Sequence, residues 1–191
     1  MKNQKQKTLT ASATFRWSLL LLSLGVIACG PKDSETAALD DAPAEASLSL
    51  MTDTLPAEAL SVIEARAQLK PGDAAVVQGQ IGGVMKPFLS GYAGFVLGDT
   101  EIVFCNEMSD AGHCPTPWDA CCEDKEQLQG RRVSVQFVDG AGMPIKADLQ
   151  KAYSLNELDA VAVVGTVAES STPENMVIYA KQMKSLEQAM Q

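Results

Sequence analysis

Hydrophobic residues recur in short runs from residue 75 onward, and one of these runs alternates strictly with polar residues, a pattern typical of half-buried β-strands. In residues 132–138 the alternation places Val133, Val135 and Phe137 on one face of a strand. Gly, Asn and Asp separate such runs, as they do at turns. The pattern predicts strands over six ranges: residues 75–84, 92–97, 101–104, 132–138, 159–167 and 176–183.

Two stretches have helical spacing instead. Residues 56–69 begin with a proline, which is favoured in the first turn of a helix, and Leu60, Ile63 and Ala67 then recur at helical spacing. A second, brief helix is predicted near residues 123–129, between the third and fourth strands. The chain is therefore predicted to be mainly β.

The order of these elements resembles that of an OB-fold barrel. Four segments look like the first, second and last two strands of OB domains: residues 77–81, 95–99, 164–167 and 177–180. The resemblance implies a small five- to six-stranded OB-like barrel over residues 56–187, with a short N-terminal helix. Closure into a barrel would remove exposed strand edges. An unrelated β-sandwich or a Greek-key barrel is the alternative.

The first 28 residues have the parts of an export signal. Four basic residues precede an apolar run that ends at Ala28, directly before Cys29: Lys2, Lys5, Lys7 and Arg16. From Trp17 to Ala28 there are 12 residues, about 18 Å of helix against a hydrocarbon core of about 30 Å. The run is too short for a transmembrane anchor, which is the alternative interpretation.

A cysteine directly after the small residue resembles the lipobox of bacterial lipoproteins. The resemblance implies that residues 1–28 are cleaved, that Cys29 carries a diacylglyceryl thioether and that its amino group is acylated. Two or three acyl chains would hold the protein stably on a membrane. Gly30, rather than Asp, follows the cysteine, which in this pattern favours the outer membrane of the cell envelope, facing the periplasm or the surface.

Cleavage would make the protein more acidic. The leader holds four of the 15 basic residues and no acidic residue, which leaves 11 against 24 acidic residues, a net charge of about −13. A nucleic-acid partner is not expected, because phosphate binding needs a basic surface. Residues 29–55 contain few large apolar side chains and predict a disordered acidic tether.

Four cysteines fall within residues 105–122: Cys105, Cys114, Cys121 and Cys122. An even number of cysteines in an oxidising compartment favours disulfides, which would staple this insertion to the barrel between strands 3 and 4. A bond between the adjacent Cys121 and Cys122 would be strained, so Cys105 and Cys114 are their expected partners, in either pairing.

A metal site and a redox-active pair are the alternatives to disulfides. Thiolates with His113 offer soft ligands, but the usual C-x-x-C knuckle is absent and the chain has one histidine. Adjacent cysteines on an extended chain also point in opposite directions. We therefore expect disulfides, and assign no metal ligand and no cofactor.

The cysteine segment also resembles one found in uncharacterised secreted bacterial proteins of OB-like type, a resemblance that implies no activity. Four residues near the cysteines form a candidate binding surface: Glu107, His113, Trp118 and Asp119. Packing of Trp118 over the cysteines, an exposed loop position for His113 and solvated or capping carboxylates are the alternatives for these residues.

Enzyme motifs are absent from the sequence. It contains no G-x-S-x-G, no phosphate-binding G-x-x-x-x-G-K-[ST] and no H-E-x-x-H. We therefore predict a lipid-anchored envelope protein of non-enzymatic binding or structural type, whose partner is an envelope protein, an oligosaccharide or a small ligand. The alternative is a metal-binding or thiol-redox protein that uses the four cysteines.

Overall fold

A computed structural model describes residues 49–108 and 114–186. The predicted leader, Cys29 and His113 lie outside the described residues. Six strands are present: β1 (Leu60–Ser61), β2 (Ala74–Ile81), β3 (Gly94–Gly98), β4 (Arg132–Phe137), β5 (Ala160–Val167) and β6 (Val177–Ser185). The helices are α1 (Val62–Gln68), α2 (Lys125–Gly130), α3 (Leu149–Tyr153) and a 3₁₀ turn (Cys105–Glu107).

Five strands close into a barrel in the order β2-β3-β4-β6-β5, with β5 pairing back onto β2. The β4–β6 pair is parallel, whereas β2–β3, β3–β4, β5–β6 and β2–β5 are antiparallel. This order and these directions are those of an OB-like barrel, which confirms the predicted fold class. The short β1 adds to β2 in parallel.

The barrel closes around the alternating side chains that predicted it. Along β4 every second residue is buried, and Phe137 packs edge-on against Phe95 of β3 with ring centroids 6.0 Å apart. Gly165 lies at the irregularity where β5 shifts its register on β6. A Cβ there would lie 2.3 Å from the main-chain oxygen of Tyr179, so only glycine allows the two strands to approach so closely.

One predicted strand, residues 101–104, is wrong. Ile102 and Phe104 are buried while Glu101 and Val103 are exposed, which mimics the alternation of a strand. The segment instead turns out of the barrel, because the N–H of Ile102 donates to the main-chain oxygen of Asp99 at 3.1 Å. The cysteine segment therefore lies between the second and third strands of the barrel, β3 and β4.

The helix predicted over residues 56–69 is shorter than expected. It begins only after Ser61, whose hydroxyl accepts from the N–H of Glu64 while the Glu64 carboxylate accepts from the N–H of Ser61. This capping box fixes the first turn, so the proline at the start of the predicted range does not. Helix α3 was not predicted. No helix in the described ranges is long and apolar enough to span a bilayer.

The predicted boundary between tether and domain also needs correction. Leu50 is buried in the core, and its main-chain oxygen accepts from the N–H of Met183 at 2.7 Å. The N–H of Thr52 donates to the main-chain oxygen of Met183 at 2.8 Å. The folded domain thus includes residues from 50 onward. The buried side chain of Leu50 and two backbone hydrogen bonds, one at Leu50 and one at Thr52, attach this segment to the domain although its composition is polar.

Candidate metal centre

Main-chain hydrogen bonds close the cysteine segment, residues 105–122, on itself and attach it to the end of β2. The N–H of Cys105 donates to the oxygen of Asp119 at 2.8 Å, and the N–H of Asn106 donates to the oxygen of Pro117 at 2.9 Å. The N–H of Gly83, just beyond β2, donates to the oxygen of Trp118 at 2.8 Å. These bonds hold residues 117–119 between the end of β2 and the 3₁₀ turn that begins at Cys105.

A small apolar cluster lies beneath the segment and is separate from the barrel core. Its buried members are Ile102, Phe104, Ala120 and Leu128. Gly82 leaves room for it, since a Cβ at that position would lie 2.9 Å from the Phe104 ring. The segment therefore has its own packed base.

A tight turn brings the two adjacent cysteines to the same side of the chain. The N–H of Glu123 donates to the oxygen of Ala120 at 3.1 Å, which places Cys121 and Cys122 at the two central positions of the turn. Their sulfurs are 4.0 Å apart. The expectation that adjacent cysteines point in opposite directions holds for an extended chain and is wrong here.

Three sulfurs converge at this turn. The Sγ atoms of Cys105 and Cys121 lie 3.5 Å apart, and those of Cys105, Cys121 and Cys122 all lie within 4.8 Å of one another. Cys105 is 3% exposed, whereas Cys121 and Cys122 are exposed. The trio thus has one buried sulfur as its base and two sulfurs that reach solvent.

Cys114 is the fourth predicted cysteine, and it lies outside this trio. It is half-buried, and its Sγ lies 3.4 Å from the main-chain oxygen of Thr116. Hydrogen bonds with the backbone and the hydroxyl of Thr116 lower the pKa of the Cys114 thiol. Burial raises the pKa of Cys105 to about 11. Three of the four predicted cysteines therefore converge.

The structure does not support the predicted disulfides. None of the four described cysteines is at bonding distance from another, and even the sulfurs of Cys105 and Cys121 are 3.5 Å apart, against about 2.05 Å for an S–S bond. The prediction came from an even number of cysteines in an oxidising compartment, which determines neither partners nor distances. Cys105 does lie beside Cys121, one of the partners that the sequence allowed.

The proposed binding surface is divided by the fold. Asp119 is buried, 9% exposed, and its carboxylate accepts from the N–H of Ala120 at 2.8 Å, which removes it from the surface. Trp118 is half-buried and its ring N–H donates to the main-chain oxygen of Met85 at 3.1 Å. Glu107 is exposed.

Sequence reasoning did not identify Arg132, the cation next to this segment. The guanidinium of Arg132 donates to the oxygen of Gly83 at 2.8 Å and to the oxygen of Leu128 at 3.2 Å. Burial lowers its pKa, and the nearby carboxylate of Asp119 acts in the opposite direction. Arg132 thus joins the end of β2 to α2, and its place at the start of an alternating strand is the one signal that could have suggested a fixed position.

Comparison with known proteins bears on the fold only. No protein-family description matches the chain, and no curated protein matches it. Solved structures do match, among them the structure of the hypothetical protein ygiW from E. coli, with a TM-score of 0.37 and 13% identity. That match covers 68% of this chain and 91% of the other. The strand order of the barrel itself carries the assignment to an OB-like fold.

Proposed function

We propose that this protein is a lipid-anchored, non-enzymatic component of the bacterial cell envelope whose OB-like domain binds a thiophilic metal ion through Cys105, Cys114, Cys121 and Cys122. The ion belongs to the class of Zn²⁺ or Cu⁺, both of which accept thiolate ligands. The observation that carries the proposal is the spacing of the sulfurs.

Four thiolates around a tetrahedral zinc ion, at about 2.3 Å each, are about 3.8 Å from one another. The two measured separations, 3.5 Å for Cys105–Cys121 and 4.0 Å for Cys121–Cys122, lie on either side of that value. Sulfurs at these distances are too far apart for disulfides and close enough to share one ion. Cys114 is the proposed fourth ligand; its Sγ lies outside the 4.8 Å group of the other three and would move toward the ion on binding.

The electrostatics favour a cation at the same point. The Cys105 thiol has a pKa raised by burial, so its thiolate lacks stabilisation within the protein. Metal ligation requires the thiolate and lowers the free energy of that form. The acidic balance of the whole chain, 24 acidic against 15 basic residues, also raises the local concentration of cations.

The lipid anchor rests on the leader and Cys29. It would place the domain in an export compartment, where free thiols are oxidised unless they are ligated. A bound metal ion would protect the four thiols from oxidation in such a compartment.

Titration of the reduced full chain with Co²⁺, under argon, tests the metal site. A Cys29→Ser background removes the fifth thiol. We expect the intense near-ultraviolet absorption of Co²⁺–thiolate bonds, visible bands of a tetrahedral ion, and an end point of one ion per chain. Zn²⁺ and Cu⁺ are then added separately to the cobalt form, and the ion that displaces cobalt at the lower free concentration identifies the class.

Cys121→Ser in the same background should weaken binding by more than about 10-fold, since changes outside the ligand shell already have effects of that size. Ser61→Ala, which alters a distant helix cap, is the control and should leave the titration unchanged. A chain that gives no thiolate absorption with any of the three ions would overturn the proposal.

A further inference from the structure

We infer that the metal ion is a cargo that this domain exchanges with the thiolates of a partner, and that it is not a structural staple of the fold. The inference rests on the proposed function and concerns the same four cysteines. Two observations carry it: groups other than the sulfurs hold the segment, and the site is open on one side.

The first observation is the support of the segment by groups other than the sulfurs. Main-chain hydrogen bonds attach Cys105 to Asp119, Asn106 to Pro117 and Gly83 to Trp118. In a structural zinc site the metal supplies the free energy of folding, and the chain is unfolded without it. Here these three main-chain hydrogen bonds hold the ligand loop independently of the sulfurs.

Packing adds to that support. The cluster of Ile102, Phe104, Ala120 and Leu128 is buried beneath the segment, and the guanidinium of Arg132 donates to main-chain oxygens on both sides of it. Burial of these apolar side chains stabilises the segment independently of the sulfurs. The ligand loop therefore keeps its conformation when the ion leaves.

The second observation is the distribution of exposure among the ligands. Cys105 is buried, Cys114 is half-buried, and Cys121 and Cys122 are exposed. Four cysteine ligands leave no open coordination position, so exchange depends on access to the ligands themselves. Because two adjacent ligands reach solvent on a tight turn, an incoming thiolate can approach the ion from their side without unfolding of the domain.

The exchange step is a ligand substitution. A partner thiol loses its proton and forms a metal–sulfur bond as the bond from Cys122 breaks, and the released Cys122 thiolate takes up a proton. Cys121 and then the half-buried Cys114 are exchanged in the same way, and the buried Cys105 is the last to be displaced. Metal–sulfur bonds and protons balance at each step, and the oxidation state of the ion does not change.

The test uses the full chain with Cys29→Ser and Trp17→Phe, so that fluorescence reports Trp118, the second of the two tryptophans. The protein is loaded with Zn²⁺ and mixed with the dithiol 2,3-dimercaptopropane-1-sulfonate as acceptor. We expect the rate of zinc loss to rise in proportion to the acceptor concentration over a tenfold range. We also expect the emission maximum of Trp118 to stay near that of the loaded form after zinc has left.

Cys122→Ser provides a second measurement, because it opens one ligand position at the exposed edge and should accelerate transfer several-fold. A transfer rate independent of acceptor concentration, together with Trp118 emission shifted to that of the guanidinium-unfolded chain, would show a structural ion and overturn the inference. In that case zinc is still bound, and the proposed function stands. A chain that takes up none of Co²⁺, Zn²⁺ and Cu⁺ fails the proposed function instead.

Discussion

The main-chain oxygen of Trp118 accepts a hydrogen bond at 2.8 Å from the N–H of Gly83, and this bond joins the cysteine segment to the end of β2. The neighbouring Gly82 makes the approach possible. A Cβ at Gly82 would lie 2.7 Å from the oxygen of Trp118 and 2.9 Å from the Phe104 ring. The barrel and the segment that carries the sulfurs are thus fitted together at a point without a side chain.

Gly82→Ala is therefore expected to push the segment away from the barrel. Overpacking of this kind costs about 1–3 kcal/mol of unfolding free energy, which corresponds to a melting temperature lower by several degrees. Because the segment positions the sulfurs, the affinity for Co²⁺ should also fall. Thermal unfolding by circular dichroism and the cobalt titration measure the two effects.

The matched control is Gly130→Ala, at the end of α2. A Cβ there meets no atom within 4 Å, and alanine restricts the unfolded chain, so stability should be unchanged or rise by up to about 1 kcal/mol. Equal destabilisation by the two substitutions would show that the close approach at Gly82 is not the cause.

Asp99→Ala should destabilise the domain through two backbone groups. The buried Asp99 carboxylate, 1% exposed, accepts from the N–H of Ile63 at 2.8 Å and from the N–H of Glu101 at 2.9 Å. Without the carboxylate, the N–H groups of Ile63 and Glu101 lose their acceptor at a part-buried site, which should lower the unfolding free energy by about 3 kcal/mol. Urea unfolding of the variant measures the loss.

Asp73→Ala is the comparison for this prediction. Its exposed carboxylate also accepts from a backbone N–H, that of Lys70 at 2.8 Å, but water can replace it. We expect a loss of about 1 kcal/mol or less. A loss at Asp99 no larger than that at Asp73 would contradict the role of burial.

Gly165→Ala tests the closure of the barrel. The added Cβ would meet the oxygen of Tyr179 at 2.3 Å and the Cα of Ala180 at 2.8 Å, both main-chain atoms that cannot rotate away. We expect β5 and β6 to separate locally and the unfolding free energy to fall by about 3 kcal/mol, the upper end for overpacking. Gly140→Ala, with no neighbour within 4 Å, should be neutral. Hydrogen exchange at Val164 and Tyr179 would locate the opening.

The sequence predicts the barrel well because its strands obey one local rule. Residues 132–138 alternate cleanly, and β4 occupies 132–137 with that burial pattern. The same rule fails at Ile102 and Phe104, which alternate because they enter a second cluster rather than a sheet. Local patterns report which side chains are buried, but not which partner buries them.

The candidate site shows the same division. Sequence spacing identifies the four cysteines. The choice between disulfide bonds and a metal site depends on the distances between their sulfurs, which spacing along the chain does not determine. The turn at Cys121 and Cys122 forms because the N–H of Glu123 donates to the oxygen of Ala120. Arg132 donates to the main-chain oxygens of Gly83 and Leu128. Every residue has such an oxygen, so residue identities do not predict these contacts.

Lipidation of Cys29 gives a separate prediction, on residues outside the described ranges. Cells that express the full chain in labelled palmitate should incorporate label into the protein, and Cys29→Ser should abolish it. Because the Cys29→Ser chain would lack two or three acyl chains, it should also move from the membrane to the soluble fraction. Cys114→Ser is the control and should keep both label and membrane fraction. An unlabelled wild-type chain with an intact leader would contradict the anchor.

Substitution of the ligands one at a time should separate metal binding from folding. Cys122 is exposed, so Cys122→Ser should weaken Co²⁺ binding without a change in the stability of the metal-free protein. Cys105 is buried, and a serine hydroxyl there lacks the apolar character of the thiol, which adds a loss of about 1–3 kcal/mol in the metal-free form. Titration and urea unfolding of each variant without metal give the two quantities independently. If Cys122→Ser destabilised the metal-free chain as much as Cys105→Ser, the exposed sulfur would belong to the folded framework, and the division between a buried base and an exchangeable edge would be wrong.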